Sequence, residues 1–243
     1  MKRFCSLLSG GKDSTYALLR ALDSGLEPSC VATVVPARYD SWMFHRPFVE
    51  LVPLQLDALG LSDRLVRVEV SGLKEREVDE LSSALAKAKG RFNFDVLVVG
   101  GVASRYQMTR FKRVADELKV ELFDPQWGAD PEAYMRELVR YGLVYVITQI
   151  TTAGMPPRLL GVPINSEERV NEILELSRKY GFHPAFEGGE AETFVIKAPR
   201  YREGICLEAR RVRLSEFEWR LEPLGATLCE RPTVTVDGVT YPA

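Results

Sequence analysis

The sequence predicts an α/β protein, in which a doubly wound and mostly parallel sheet is followed by a smaller C-terminal α+β domain. Short apolar runs alternate with segments of helical periodicity as far as residue 150, which is the pattern of successive βα units. From Thr151 onward Gly, Pro and Thr become frequent, and short strands then follow one another. We therefore expect two domains, over residues 1–150 and 151–243.

The first domain is predicted from β-branched runs that are separated by helical patterns. Ala17, Leu18, Ala21 and Leu22 mark the first helix, and Gly25 suits its C-cap. Further helices are expected at 48–59, 74–88, 111–118 and 131–141, and strands at 4–8, 31–35, 65–70, 96–99, 121–123 and 144–150. Because ligands of such sheets bind at the carboxyl ends of the strands, segment 36–47 and Gly100-Gly101 are expected at the site.

The second domain is predicted as a small α+β unit. A helix outlined by Val170, Ile173 and Leu174 stops at Gly181. Short strands are expected at 194–196, 205–207, 212–214 and 234–236, with a turn at Asp237-Gly238.

Composition excludes several classes of protein. The chain has 243 residues, 46% of them hydrophobic, and 32 Lys and Arg against 34 Asp and Glu. A net charge of −2 provides no global basic field for nucleic acid. No run is long enough to span a membrane, and the apolar run after Met1-Lys2-Arg3 is too short for a signal peptide. We expect a cytoplasmic protein.

The cysteines suggest neither a metal site nor a redox pair. Cys5, Cys30, Cys206 and Cys229 are far apart, without a CxxC pair and without a nearby histidine. We expect four buried free thiols.

The loop of residues 9–14 is predicted to hold an anion, with phosphate as the obvious candidate. It joins an apolar strand to a helix N-terminus, where N–H groups lack partners and glycines allow close approach. Ser6 and Asp13 exclude a Walker A motif, and two glycines are too few for a Rossmann fingerprint. The alternative is a plain turn in which Asp13 caps the helix.

A second candidate feature is the acidic turn, residues 187–193, with sequence Glu-Gly-Gly-Glu-Ala-Glu-Thr. Three carboxylates so close together repel one another unless a cation or protonation relieves them. A metal, an ammonium ion or a substrate amine would do so. The alternative is an exposed acidic turn before the strand at 194–196.

Two resemblances rest on these motifs. Ser9-Gly10-Gly11-Lys12-Asp13-Ser14 resembles the SGGxDS loop of the ATP pyrophosphatases, which split ATP between the α and β phosphates and have the adenine nucleotide alpha hydrolase-like (HUP) fold. With Gly181-Phe182-His183-Pro184 and the acidic turn, the chain resembles the diphthine–ammonia ligase family. Met43-Phe44-His45, Ser104-Arg105-Tyr106-Gln107 with Arg110, and Trp127-Gly128-Ala129-Asp130 also follow that family's order.

The resemblance implies amidation of diphthine, the modified histidine of translation elongation factor 2, with ATP and free ammonium. AMP and pyrophosphate would be released, and no membrane or nucleic acid would take part. A glutaminase domain that would supply ammonia is not visible in the sequence. The sequence does not decide the oligomeric state, and a homodimer stays open.

Site residues follow from the motifs and from this resemblance. Glu187, Glu190 and Glu192 are expected to bind or deprotonate ammonium, and Asp13 to hold Mg²⁺ or to cap the loop. His45 is a candidate for catalysis in the substrate loop, whereas His183 is expected to fix a turn. The expected nucleotide-binding residues are Ser9, Gly10, Gly11, Lys12, Asp13, Ser14, Gly100, Gly101, Ser104, Tyr106 and Gln107.

The chain departs from the family pattern at one place, and other functions stay open. Many relatives carry a cysteine and a glycine where Ala185 and Phe186 stand, so no cysteine of that loop is essential here. A tRNA base-modifying enzyme of the thiolation or lysidine type is one alternative, kept open by arginines at 200, 202, 210, 211 and 213. A nucleotide-binding module without catalysis is the other.

Overall fold

The computed structural model describes residues 1–37, 48–73 and 75–243. The chain forms two compact units. Unit 1 comprises Met1–Ser9, Asp13–Pro53 and Leu61–Gly128, and unit 2 comprises Gly10–Lys12, Leu54–Gly60 and Ala129–Ala243. Unit 2 contains about half of the chain.

Unit 1 contains a parallel sheet flanked by helices. The strands are β1 (Arg3–Leu7), β2 (Glu27–Pro36), β3 (Leu65–Val70), β4 (Val96–Val98) and β5 (Glu121–Phe123), and the helices that follow them are α1 (Lys12–Asp23), α2 (Val52–Leu59), α3 (Arg76–Phe92) and α4 (Arg105–Leu118). The strand order is β3-β2-β1-β4-β5, and every pairing is parallel. The predicted doubly wound α/β sheet is confirmed.

The core of unit 1 explains why its strands are so apolar. β4 is buried along its whole length, and β1 is buried from Phe4 to Leu7, as a strand must be when both faces of its sheet are covered. Val78, Leu81 and Leu85 of α3 pack into the same core. Their helical spacing gives α3 one apolar face, and the opposite face stays in solvent.

Unit 2 contains a mixed sheet. Its strands are β6 (Val144–Ile150), β7 (Ala191–Lys197), β8 (Gly204–Arg213), β9 (Trp219–Cys229), β10 (Thr233–Val236) and β11 (Val239–Pro242), and its helices include α5 (Pro131–Tyr141) and α6 (Glu167–Tyr180). The order is β11-β10-β8-β9-β6-β7, with β8 and β10 parallel and the other pairs antiparallel.

The prediction that residues 144–150 belong to the parallel sheet is wrong. β6 pairs antiparallel with β7 and β9 in unit 2. The sequence could not reveal this, because a fully buried strand has an apolar run in either kind of sheet.

The two short strands predicted at 205–207 and 212–214 are one continuous strand, β8. β9 and β11 were not predicted. β9 contains Pro223 and Gly225, which are rare inside strands and hide its pattern. The turn predicted at Asp237-Gly238 is confirmed, since both residues have positive φ, at 50° and 81°.

The prediction of free thiols is wrong as well. Cys5 and Cys30 form a disulfide, because the parallel register of β1 and β2 sets them side by side with Cα atoms 4.5 Å apart. Cys206 and Cys229 form a second disulfide across β8 and β9, with Cα atoms 5.9 Å apart. Spacing along the chain does not give strand register, which is what decides whether two cysteines can pair.

None of the described helices combines the length and the apolar character needed to cross a membrane.

Candidate active site

The strand order of unit 1 places two loops at the point where ligands of such sheets bind. The chain moves from β1 to β2 and β3 on one side of the sheet, and β4 and β5 lie on the other side. The reversal falls between β1 and β4, and crevices at such a switch point hold the ligand. The residues after β1 begin the Ser9–Ser14 loop, and those after β4 are Val99, Gly100 and Gly101.

The first and last residues of the loop, Ser9 and Ser14, are hydrogen-bonded to each other. The Ser9 N–H donates to Ser14 Oγ at 3.1 Å, and the hydroxyls of Ser9 and Ser14 lie 3.0 Å apart. Between them Gly10 has φ +88°, in the left-handed region. A Cβ at Gly10 would also lie 3.1 Å from Gln55 Oε1 and from the Phe194 ring, so glycine is needed here for both conformation and space.

Gly10–Lys12 pack within unit 2 against β7. The Val195 N–H donates to Gly10 O at 2.9 Å. The Lys12 N–H donates to Thr193 Oγ1 at 3.1 Å, in a buried contact. Thr193 is the last residue of the acidic turn, so two features that are about 180 residues apart in the sequence are direct neighbours in unit 2.

The Lys12 side chain extends in the same direction. Lys12 is 2% exposed, its Nζ donates to the Ala185 carbonyl at 2.8 Å, and the ammonium lies 5.2 Å from the centre of the Phe186 ring. A buried ammonium needs such partners, since an isolated charge in the interior is strongly unfavourable. In this arrangement Lys12 ties the loop to the residues that precede the acidic turn.

In unit 1 the start of α1 packs on the end of β4. A Cβ at Gly100 would lie 2.4 Å from the Asp13 carbonyl oxygen and 2.8 Å from the Ser14 nitrogen. Gly100 therefore makes room for the first turn of α1. The next residue, Gly101, donates its N–H to Asp124 Oδ1 at 3.3 Å, which brings a carboxylate to the end of β4.

The start of α4 holds the other predicted nucleotide-binding residues. Ser104 is the N-cap, and its Oγ accepts a hydrogen bond from the Gln107 N–H at 3.4 Å. The Tyr106 ring lies against the guanidinium of Arg110, 3.4 Å from ring centre to Cζ. Burial raises the pKa of Tyr106, and the Arg110 charge opposes that rise. These contacts give Ser104 and Tyr106 roles in the fold, and their part in binding a nucleotide stays a prediction.

The acidic turn is held in shape by Glu190 and His183. Glu190 accepts hydrogen bonds on both carboxylate oxygens, from His183 N–H and from Gly188 N–H, each at 2.9 Å. His183 Nδ1 accepts from the N–H groups of Ala185 and Glu187 at 3.2 and 3.4 Å. Because Nδ1 is the acceptor, the neutral ring carries its proton on Nε2. His183 thus fixes a turn, as predicted.

The remaining carboxylates of the turn have different surroundings. Glu187 and Glu192 are both half-buried. Glu192 lies on β7 opposite Gln149 of β6. The carbonyl oxygen of Gly189 accepts from Thr151 Oγ1 at 2.6 Å, which anchors the turn to the residue after β6. Glu190 therefore shapes the turn, and a part for Glu187, Glu190 and Glu192 in binding a cation stays a prediction.

A magnesium ion bound with nucleotide fits the residues present. Within the described ranges, no three His, Cys, Asp or Glu side chains lie together as a metal site. Mg²⁺ does not need such a cluster, because it takes one or two carboxylates and completes its shell with phosphate oxygens and water. The carboxylate of Asp13, in the first turn of α1, fits that requirement.

Three further residues that the sequence analysis named are His45, Asp130 and Trp127. His45, together with Met43 and Phe44, lies outside the described residues. Asp130 is the N-cap of α5, where Oδ1 accepts from the Ala133 N–H at 2.8 Å. Trp127 is 39% exposed.

Sequence reasoning missed three side chains next to the loop. Gln55, Asp124 and Gln126 contact Gly10, Gly101 and Asp13 respectively. A signal existed for Gln55, which is the one amide in the apolar segment that forms α2.

Comparisons with known proteins match both halves of the chain to one family. Residues 1–122 match the model of the diphthamide synthase N-terminal domain, and residues 130–226 match that of the diphthamide synthase C-terminal domain. A diphthine–ammonia ligase from Danio rerio is 30% identical over 85% of this chain and 87% of its own. Those from Bos taurus and Homo sapiens are 28% and 27% identical, each over 86% of this chain and 84% of the relative.

A solved structure described as a predicted subunit of a tRNA methyltransferase from Methanocaldococcus jannaschii is also similar. It has a TM-score of 0.40 and 13% identity, over 82% of this chain and 100% of that chain. A likeness this weak carries no argument about fold or activity.

The fold, the loop and the relatives define the class of protein, which is an ATP-dependent ligase of the amide synthase type. Both halves of the chain match the same family, and they do so in the expected order. The chain belongs to the diphthamide synthase family.

Proposed function

We propose that this protein amidates diphthine on translation elongation factor 2, using ATP and free ammonium. A carboxylate oxygen of diphthine attacks the α-phosphorus of ATP, and the bond from that phosphorus to the bridging oxygen breaks. Pyrophosphate leaves and an acyl-adenylate remains. Ammonia then attacks the acyl carbon through its lone pair, the carbon–oxygen bond to AMP breaks, and diphthamide is formed. We expect this reaction in the cytoplasm, where the factor acts in translation.

One observation carries the proposal beyond family membership. Gly10–Lys12 are hydrogen-bonded to Thr193 and Val195, directly beside the acidic turn. Three residues of the loop that we assign to phosphate, and the carboxylates that we assign to ammonium, therefore belong to the same unit. Adenylation followed by amidation needs these two groups close together, because the acyl-adenylate must meet ammonia before water does.

The loop is assigned to the pyrophosphate. Phosphoryl and nucleotidyl transfer depend on positioning and on neutralising charge, with little covalent work for the protein. Ser9 and Ser14 supply hydroxyls, and the glycine amides supply N–H groups at a helix N-terminus. Asp13 is assigned to Mg²⁺, which would neutralise charge on the phosphate oxygens. Gly101, Tyr106 and Gln107 are assigned to the adenine or substrate edge, and His45 to the diphthine side.

Glu187, Glu190 and Glu192 are assigned to ammonium. An ammonium ion must lose a proton before its nitrogen can attack, and a half-buried carboxylate accepts that proton. Lys12 is assigned to a supporting role, since its ammonium bonds to Ala185 O. A nucleotide would have to displace this contact before Lys12 reached a phosphate.

Two of the five arginines that kept the tRNA-modifying alternative open are paired with carboxylates. Arg210 pairs with Glu222, and Arg211 pairs with Asp237 and donates to Leu160 O. Proteins gain much of their affinity for RNA when positive side chains displace counterions from its phosphates. Guanidinium groups that are already paired with carboxylates displace few counterions, so they add little to that affinity.

The test is a reaction with purified protein, ATP, Mg²⁺, ammonium and elongation factor 2 carrying diphthine. The expected products are AMP and a factor whose mass falls by the difference between a carboxylic acid and its amide. A reaction without ammonium is the control, and it should leave the mass of the factor unchanged. AMP that forms only with tRNA would refute the proposal, and so would the absence of AMP with any substrate.

A further inference from the structure

The buried amide of Gln55 holds the carbonyl of the first loop glycine. Gln55 is fully buried on α2. Its Nε2 donates to Gly10 O and to Val195 O, each at 2.9 Å. Two carbonyl acceptors at one position require the amide nitrogen there, so the orientation of the amide is fixed by its partners.

This contact also fixes the direction of the next N–H. Gly10 O accepts a second hydrogen bond, from the Val195 N–H at 2.9 Å, so the carbonyl is held by two donors. The described residues contain no cis peptide bond, and in a planar trans peptide the N–H points opposite to the carbonyl. The Gly11 N–H is therefore aimed away from β7 and Gln55.

Gln126 makes the equivalent contact within unit 1. It is 2% exposed, and its Nε2 donates to Asp13 O at 3.0 Å. Gly100 packs against the same Asp13–Ser14 peptide. By the same geometry, the Ser14 N–H is aimed opposite to the carbonyl that Gln126 holds.

Each of the two amides lowers the stability of the protein, and the fold alone does not require an amide at either position. The Oε1 atoms of Gln55 and Gln126 are buried and have no hydrogen-bond partner among the described residues. A buried acceptor without a partner destabilises a fold, whereas an apolar side chain of similar shape would fill the same space without that loss. Such local costs are typical of functional sites, where geometry matters more than stability.

We propose that Gln55 and Gln126 are positioning residues: Gln55 orients the Gly10–Gly11 peptide within unit 2, Gln126 orients the Asp13–Ser14 peptide within unit 1, and the affinity for pyrophosphate depends on each orientation. This inference rests on the proposed function, because it assumes that the loop binds pyrophosphate. It assigns no direct contact with the nucleotide to either amide. Oriented backbone donors bind anions better than donors that must reorganise on binding.

The test compares variants that keep side-chain length and remove the donors, Gln55→Met and Gln126→Met. Affinities for inorganic pyrophosphate and for ATP are measured by calorimetry, without elongation factor. We expect each variant to bind both ligands roughly tenfold more weakly, the loss that corresponds to one oriented hydrogen bond.

Matched controls come from buried threonines that do not touch the loop. Thr148 on β6 and Thr33 on β2 are 3% and 4% exposed, and their hydroxyls lack partners among the described residues. Thr148→Val and Thr33→Val should leave both affinities unchanged. Glutamine variants that bind pyrophosphate as tightly as these controls would overturn the inference, and so would a wild-type protein that does not bind pyrophosphate.

A third variant separates positioning from a merely structural role. Gln55→Glu has a donor only when the carboxyl is protonated, and burial favours protonation of that group. Its affinity for pyrophosphate, relative to wild type at each pH, should rise as the pH falls. A constant ratio across pH would contradict the inference, even where Gln55→Met fails to fold. Failure to amidate diphthine, with wild-type ATP binding retained, refutes the proposed function and leaves this test intact.

Discussion

The Lys12 ammonium and the Ala185 carbonyl are joined by a buried hydrogen bond of 2.8 Å. Within unit 2 it links Lys12 to the segment that leads into the acidic turn. Phe186 also contacts this ammonium, since the centre of its ring lies 5.2 Å from Lys12 Nζ.

Replacing Lys12 by Met should lower the free energy of unfolding by about 1–3 kcal/mol, because Ala185 O is left buried without its donor. AMP formation should also fall, since the loop loses its tie to the acidic turn. Denaturant unfolding and an AMP assay measure the two effects. Lys87→Met on the exposed face of α3 is the control and should change stability by less than about 0.5 kcal/mol. An unchanged unfolding curve for Lys12→Met would show that the contact contributes little.

At position 186 a glycine variant should be more stable than an alanine variant, which is the reverse of the order usual inside helices. Its φ is +67°, a conformation that glycine adopts freely and that costs other residues about 1–2 kcal/mol. Both Phe186→Ala and Phe186→Gly lose the buried ring, but only the glycine variant relieves the backbone. We expect Phe186→Gly to be the more stable by up to about 1 kcal/mol.

The control for Phe186 is the exposed helical residue Ala86 in α3. Ala86→Gly should lower the free energy of unfolding by about 1 kcal/mol, as glycine does inside helices. Thermal unfolding of these variants gives the comparison. A Phe186→Ala variant more stable than Phe186→Gly would mean that the backbone relaxes at this position.

Gly100→Ala should disrupt the start of α1. The new Cβ would lie 2.4 Å from a backbone oxygen, which cannot move without shifting the helix. We expect a loss of several kcal/mol in stability or a loss of ATP binding, as overpacking against backbone predicts. Gly90→Ala in α3 is the matched control. Apart from its chain neighbours and the backbone of its own helix, no atom of the described residues lies within 4 Å of a Cβ there, and the change should stabilise by about 0.5–1 kcal/mol. Equal stability of the two variants would contradict this account.

Glu190→Gln and Glu192→Gln should have different effects. Glu190 accepts hydrogen bonds on both oxygens, and an amide keeps only one acceptor, so the first change should lower stability by about 1–2 kcal/mol. Glu192→Gln should raise the KM for ammonium, because a neutral amide no longer balances the charge of the cation. Unfolding curves and initial rates at several ammonium concentrations separate the two. If neither variant alters the amidation rate or its ammonium dependence, the turn does not handle ammonium.

The disulfides should respond differently to a reductant. Cys5 and Cys30 are fully buried, whereas Cys206 and Cys229 are both partly exposed. Because thiol–disulfide exchange needs access to sulfur, mild dithiothreitol should reduce the Cys206–Cys229 bond first. Alkylation followed by peptide mass spectrometry identifies the thiols. Earlier labelling of Cys5 would mean that the core of unit 1 opens readily.

The sequence predicts the positions of helices and strands better than it predicts which strands pair and which distant residues contact each other. β1, β4 and the glycines that follow them were predictable, because apolar runs that end in glycine have a local signal. The strand 144–150 was predicted as an element but assigned to the wrong sheet, and both disulfides were missed, since register and sheet membership are set by distant segments. Gln126 lies 113 residues from the carbonyl that it holds, so nothing near either residue could indicate that contact.

The bond between Cys5 and Cys30 encloses the whole Ser9–Ser14 loop and α1 in a covalent ring. A peptide bond cut anywhere inside that ring would release no fragment until the disulfide is reduced. The loop and α1 would thus stay attached to the sheet after a single proteolytic cut, and electrophoresis would separate the fragments only under reducing conditions.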